Sequence, residues 1–366
     1  MSSELTAALR SWARGFSPAA FPYGRFLLAL LIGGLGGWIF LRLGLPLPWM
    51  LGSMTACTLA ALLRAPIAAP ATIRPPMTMV IGVMLGAGFT PHVMESAVHW
   101  LPIILGLAGF VVVSGAACVI YFRRVAGFDM PTAYFSGMPG GLVEMVVVGE
   151  DKGGDARTIA LVHSARILLV VLTLPFLIWL ATGVAVGARP QFGVSIVDTP
   201  WADEFWLLGT ALAGGLAGYL LRLPARLLLG PMLVSAAVHV LGITRFVPAV
   251  EIVTAAQLVL GTTIGCRFAG LLPHEILRIL VLSLGSTVIL LAITFAFAAG
   301  VSRVSSYDEV TLLLAYSPGG LAEMSLVALS LGIEVAFVAA HHIIRVFLVM
   351  IGAAPVFALV RRRKQA

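Results

Sequence analysis

Hydrophobic residues run along this chain in unbroken blocks rather than in alternation. The clearest are 26–41 (FLLALLIGGLGGWIFL), 100–122 (WLPIILGLAGFVVVSGAACVIYF) and 279–302 (ILVLSLGSTVILLAITFAFAAGVS). Such blocks predict helices able to cross a bilayer, which takes roughly 20 apolar residues. Strands of a membrane barrel alternate apolar and polar positions, and these blocks do not. The pattern places spans near 24–43, 46–63, 75–94, 99–122 and 158–183, then near 204–221, 228–244, 250–270, 278–301 and 333–360. Two further apolar segments, 131–149 and 310–330, are each interrupted by Pro-Gly-Gly. Proline removes a helical hydrogen bond and clashes with the preceding turn, and glycine loosens the backbone, so both segments read as broken helices.

The blocks occur twice. PGGLVEM at 139–145 matches PGGLAEM at 318–324, an offset of 179 residues. The same offset carries Gly82 to Gly261, Gly86 to Gly265, Phe89 to Phe268, His163 to His342 and Arg166 to Arg345, and GGLGGW (33–38) matches GGLAGY (214–219) near the repeat starts. The chain therefore divides into an N-terminal segment (1–23), a first membrane repeat (24–183), a polar linker (184–203), a second membrane repeat (204–361) and a basic tail (362–366). If the broken segments cross the membrane, each half has six spans and the halves run parallel. If they are re-entrant, each half has five spans and the halves are inverted. With the N-terminus inside, the inverted arrangement leaves Arg42, Arg189, Arg245 and Arg303 outside. The parallel one leaves Arg42, Lys152, Arg157, Arg222, Arg226, Arg267 and Arg278 there. Basic residues gather on the cytoplasmic side, which favours inverted repeats with both termini cytoplasmic.

Composition narrows the class. The chain is 60% hydrophobic and 11% charged, with a mean hydropathy of +1.04, whereas soluble domains carry roughly a quarter charged residues. The net charge of +7 comes from basic residues at span ends, which points to topology and away from nucleic acid. The first apolar block lacks a small-residue cleavage site and reads as a retained span. Cys57, Cys118 and Cys266 stand singly and read as packing residues. No GxxxxGK[ST] occurs, so nothing suggests ATP-driven transport by this chain.

The chemistry collects at the breaks. A helix that starts after a break presents unpaired N–H groups and a positive dipole end, which favour an anion. In inverted-repeat carriers two such starts meet near the bilayer midplane. On this reading Pro139, Gly140, Gly141, Pro318, Gly319 and Gly320 bind substrate together with Arg166 and Arg345, since arginine grips oxyanions bidentately. Glu144, His163, Glu323 and His342 are candidates for a proton relay, or the glutamates with backbone carbonyls for sodium. No cofactor or metal is expected beyond coupling H+ or Na+. The competing reading makes each break a kink and each Glu–Arg pair a static pin between helices. For His341, which faces Val162 at the offset, and for Glu334, packing is favoured. The glycines of GVMLGAGF (82–89) and GTTIGCRF (261–268) suit close helix approach or a weaker second kink.

The duplicated PGGLxEM segments, each followed by His-x-x-Arg on the next helix, resemble the AbrB family of bacterial membrane proteins. The resemblance runs from residue 24 to the C-terminus and implies the two-repeat membrane architecture. It is distinct from the small DNA-binding regulator of the same name. Labels within the family include an ammonia monooxygenase and a membrane regulator of gene expression, and neither brings catalytic residues. An oxygenase needs a set such as two histidines and a carboxylate with open positions. Here no HxxxH or ExxH spacing occurs and two arginines stand nearby, so the chain does not read as an enzyme.

The expectation is an all-α polytopic protein of the bacterial inner membrane, with inverted repeats of about five spans and a re-entrant broken helix each. Its function reads as secondary transport of a small anion, such as an organic acid or sulfonate, at the repeat interface. A membrane sensor or regulator is the alternative, and an oxygenase the weakest reading. The lipid bilayer and the anionic solute are its partners, nucleic acid is not, and a homodimer is left open.

Overall fold

The computed structural model of this chain describes residues 10–182 and 194–362. The start of the N-terminal segment (1–9), most of the linker (183–193) and the end of the basic tail (363–366) lie outside the described residues. From Tyr23 onward the α-helices are, in chain order, α1 (Tyr23–Arg42), α2 (Pro48–Leu62), α3 (Arg74–Gly86), the short α4 (Pro91–Ser96), α5 (Leu101–Arg124), α6 (Met130–Gly137), α7 (Leu142–Asp151) and α8 (Ala156–Thr182). The second half gives α9 (Trp201–Leu220), α10 (Arg226–Val240), α11 (Val250–Gly265), α12 (Pro273–Ser302), α13 (Glu309–Tyr316), α14 (Leu321–Leu331) and α15 (Val335–Arg362). No strand occurs among the described residues. The chain has an all-α polytopic membrane fold.

Helix lies at every expected span, but among the described residues five helices are long and apolar enough to cross a membrane: α1, α5 with the turn before it, α8, α12 and α15. The expected spans at 46–63, 75–94, 228–244 and 250–270 are shorter, with 15, 13, 15 and 16 helical residues. At 1.5 Å per residue they reach roughly 20–24 Å, short of a hydrocarbon core of roughly 30 Å. These four helices pack on one another across the halves. α2 lies against α11 and α3 against α10. Glycine sets the spacing there, because a Cβ on Gly82 would meet Leu228 O, one on Gly86 Met232 O, one on Gly261 Met50 O and one on Gly265 Met54 O. Within each half, Gly36 likewise sits on Gly52, and Gly214 on Gly230 and Pro231. Small residues let membrane helices approach until their backbones touch.

Most of the left-handed backbone positions among the described residues pair between the halves: Gly44 with Arg222, Leu47 with Ala225 and Arg64 with Gly242 at a spacing of 178 residues, and Gly153 with Gly332 at 179, whereas Gly127 and Gly270 have no such counterpart. Helices α5 and α12, the same element of the two halves, cross in opposite directions. Gly106 lies beside Val301, Gly109 beside Phe297 and Gly285 beside Tyr121, while Cys118 reaches Ser286 O at 3.8 Å. Their outward stripes, including Leu105 and Val112 on α5 and Leu277, Val281, Leu284 and Val288 on α12, are exposed hydrocarbon. In water such a surface is unfavourable, and lipid removes the penalty.

Candidate functional site

Each broken segment is built from the same parts. Asp129 and Asp308 cap the first half-helices. Asp129 accepts from Thr132 N at 3.5 Å, whereas Asp308 accepts from Val310 N and Thr311 N at 2.9 Å each. Side-chain oxygens at this position satisfy donors that the helix leaves unpaired. Helix α6 ends at Gly137 and α13 at Tyr316, and the chain then runs extended through Met138 and Ser317. The second half-helices restart at Leu142 and Leu321, with Gly141 and Gly320 as extended N-cap residues. Pro139 and Pro318 thus lie in the gap before the new helix and not in its first turn. Two consecutive glycines are poor helix formers, so the helix nucleates only after them.

The motif folds on itself. A Cβ on Gly141 would fall on the Glu144 carboxylate, and one on Gly320 would fall on that of Glu323. Each glutamate occupies the first turn of its helix and folds back over its own helix start, where the dipole favours negative charge. Met145 and Met324 pack over Gly140 and Gly319 in the same way. The spacing of PGGLxEM follows, since each glycine leaves room for one later side chain.

The His-x-x-Arg pairs hold the open carbonyls of the first half-helices. Arg166 Nη2 donates to His163 Nδ1 at 2.7 Å, which leaves His163 Nε2–H to donate to Phe135 O at 2.8 Å. Arg166 Nη1 also donates to Met138 O at 3.2 Å. In the second copy Arg345 Nη2 lies 3.2 Å from His342 Nδ1, and His342 Nε2 lies 2.9 Å from Leu314 O. Arg345 donates to Ser317 O and, at 2.9 Å, to Gly319 O. This tautomer follows from the partners, because an arginine can only donate. Both histidines are thereby neutral links between helices.

Arg166 and Arg345 are each 3% exposed and lie within electrostatic reach of each other. The Nε–H of each is buried without a hydrogen-bond partner. Among the described residues the ion pairs are Lys152–Asp151 and Arg157–Glu275. Neither Glu144 nor Glu323 comes within ion-pair distance of Arg166 or Arg345. His341 bonds Phe337 O at 2.8 Å and packs on the Phe337 and Trp100 rings, as a packing residue does. No group of three His, Cys, Asp or Glu side chains suited to a metal ion occurs among the described residues.

Several residues at the site were not singled out from the sequence. Asp129 and Asp308 carry a visible signal, an Asp-x-x-Thr repeated at the offset of the other pairs. Tyr134 donates to Ala353 O at 2.9 Å and Tyr316 to Ile103 O at 2.6 Å. Each tyrosine ties one half's broken helix to a long helix of the other. Arg267, in the turn after α11, donates to Ser164 Oγ on α8 at 2.8 Å. Its counterpart at the offset is Gly88, a departure that the paired sequences display.

These features define a polytopic helical membrane protein organised around two broken helices whose buried cations have no carboxylate partner. The chain belongs to the AbrB family, whose model, described as "Transition state regulatory protein AbrB", matches residues 49–361. It is 28% identical over 352 residues to "Uncharacterized protein YhjN" of Bacillus subtilis (strain 168), covering 90% of this chain and 91% of that protein. It is also 28% identical over 315 residues to "Putative regulator AbrB" of Escherichia coli (strain K12), covering 85% of this chain and 89% of that one.

Proposed function

We propose that this protein is a secondary transporter of a small anion, with the binding site between the two breaks. The observation that carries this reading is the pair Arg166 and Arg345. Both guanidinium groups are almost fully buried, feel each other's charge and keep an unpaired Nε–H. Like charges in a low-dielectric interior repel, and an uncompensated buried cation is costly. An oxyanion between them relieves both terms and accepts from the unpaired donors.

The glutamates supply the coupling. A carboxylate over a helix start competes with a bound anion for the same positive end. Protonation of the glutamate removes that competitor, so one proton and one anion load together and leave together. The histidines, each linked through both ring nitrogens, hold the break in shape. The antiparallel crossing of α5 and α12 supports inverted repeats, the arrangement in which carriers place paired helix breaks at midmembrane. With that arrangement, the distribution of basic residues favours the bacterial inner membrane with cytoplasmic termini.

The name of the Escherichia coli relative favours a second reading, a membrane regulator that senses the anion without moving it. Uptake of labelled propionate and sulfate into proteoliposomes, with and without an inwardly directed proton gradient, separates the two. The transporter reading expects gradient-driven uptake that Arg345→Gln abolishes. Binding without flux favours the regulator, and neither binding nor flux refutes the anion site.

A further inference from the structure

We infer that the groove between α5, α6 and α15 is a binding site for an anionic phospholipid, with an acyl chain along the groove and the phosphate at Arg123 and Arg124. The site is separate from the pair Arg166 and Arg345, and it does not depend on anion transport. The groove begins in the sequence. Val112, Ala116 and Ile120 fall on one stripe of α5, and Gly352 and Val356 on one stripe of α15, at a spacing of four residues. The two helices run in the same direction. Trp100, just before α5, packs on Phe337 and His341 near the start of α15. Tyr134 on α6 reaches Ala353 and Phe357 near its end. Alanine and glycine in these stripes leave a furrow that larger side chains would fill, a groove of about 420 Å³ with Tyr134 and Met138 in its wall. Its rim at Val112, Ile120 and Val356 is exposed hydrocarbon. From Ala108 to Ile120 the groove runs about 18 Å at roughly 1.5 Å per residue, about the depth of one leaflet in a hydrocarbon core of roughly 30 Å.

One end of the groove is basic. A second cavity shares Val119, Ile120 and Met130 with it and adds Arg123 and Arg124. Both arginines are exposed. Neither enters an ion pair, the pairs among the described residues being Lys152–Asp151 and Arg157–Glu275. Two uncompensated cations at the end of an apolar furrow one leaflet deep fit a phospholipid in charge and in length. A zwitterionic headgroup brings its own cation, which the arginines repel.

The lipid also completes the wall of the first break. Met138 lines the groove, and its carbonyl accepts from Arg166 at 3.2 Å. Val349, in the same wall, stands where a Cβ on Gly140 would fall. At the offset of the repeat, Ala116 and Gly352 correspond to Phe295 and Thr173, larger side chains that leave less room, and Arg123 corresponds to Ser302. The site therefore belongs to one half of the molecule.

Native mass spectrometry of the purified full-length protein, titrated with dioleoyl phosphatidylglycerol or dioleoyl phosphatidylcholine, tests this. The expected result is one tightly held phosphatidylglycerol per chain, retained at least roughly 10-fold better than phosphatidylcholine. An arginine near an anionic headgroup contributes roughly fivefold in affinity, so Arg123→Gln combined with Arg124→Gln should lose roughly 30-fold for phosphatidylglycerol and little for phosphatidylcholine. A Cβ on Gly352 meets nothing within 4 Å, so Gly352→Leu fills the furrow without a clash and should weaken both lipids. Equal retention of the two lipids by the wild type, or unchanged retention by both variants, would overturn the site. A dimer that holds no lipid would assign the groove to a second copy of this chain and overturn it as well. The two lipids are compared on the wild type, so the result decides even where a variant fails to fold. None of these outcomes bears on the anion site at Arg166 and Arg345.

Discussion

The two breaks share a seven-residue motif and a His-x-x-Arg clamp, yet the molecule places them in different surroundings. Helix α14, after the second break, is buried along Ala322–Ala328. Helix α7, after the first, buries Met145 and Gly149 but exposes Val143 and Val147 at 59% and 61%. Arg345 holds two backbone carbonyls where Arg166 holds one. Asp308 caps its helix with two short bonds, and Asp129 with one long one. Duplication supplied the same device twice, and packing kept it tight in the second copy and looser in the first. The second break is thus held more tightly than the first.

The largest expected difference is at the arginines. Arg345→Ala leaves two buried carbonyls without donors, at roughly 1–3 kcal/mol each, and should cost about 2–6 kcal/mol of stability. Arg166→Ala leaves one and should cost about 1–3 kcal/mol. Denaturant or thermal unfolding in detergent measures both, and equal losses would remove the contrast between the breaks. Smaller effects are expected at the glycines. Gly320→Ala drives a Cβ into the buried Glu323 carboxylate and should cost about 1–3 kcal/mol, as overpacking does. Gly141→Ala meets the half-buried Glu144, which has room to move away, and should cost less. The smallest difference is at the caps. Asp308→Ala should lose about 1 kcal/mol, and Asp129→Ala, with its 3.5 Å bond, only a fraction of that. A larger loss at Asp129 would show that the first break is the fixed one.

The positions of both breaks, the helices on either side and the clamping residues were legible in the sequence, because proline, glycine, histidine and arginine have few uses inside an apolar segment. The length of α2, α3, α10 and α11 was not. Hydropathy continues through the apolar turns that end them, such as the one at Leu63, and does not register where the backbone leaves the helix. The difference between α7 and α14 was hidden for a related reason. Val143 and Val147 are as apolar as the buried residues of α14, and lipid accepts them as readily as protein does. Arg267 was legible only as a charge at a span end, because it breaks the duplication that marks the other site residues.

The central claim is that Arg166 and Arg345 jointly await an anion, and thermal stability across an anion panel tests it most directly. A ligand that binds the folded state stabilises it by mass action, by about 2.7 kcal/mol at a hundred times its dissociation constant. The account predicts that propionate raises the melting temperature of the wild type and that Arg166→Gln and Arg345→Gln both lose the shift. If no anion shifts the wild type, and both variants merely melt early, the arginines serve only as clamps on the broken helices and the anion site does not exist.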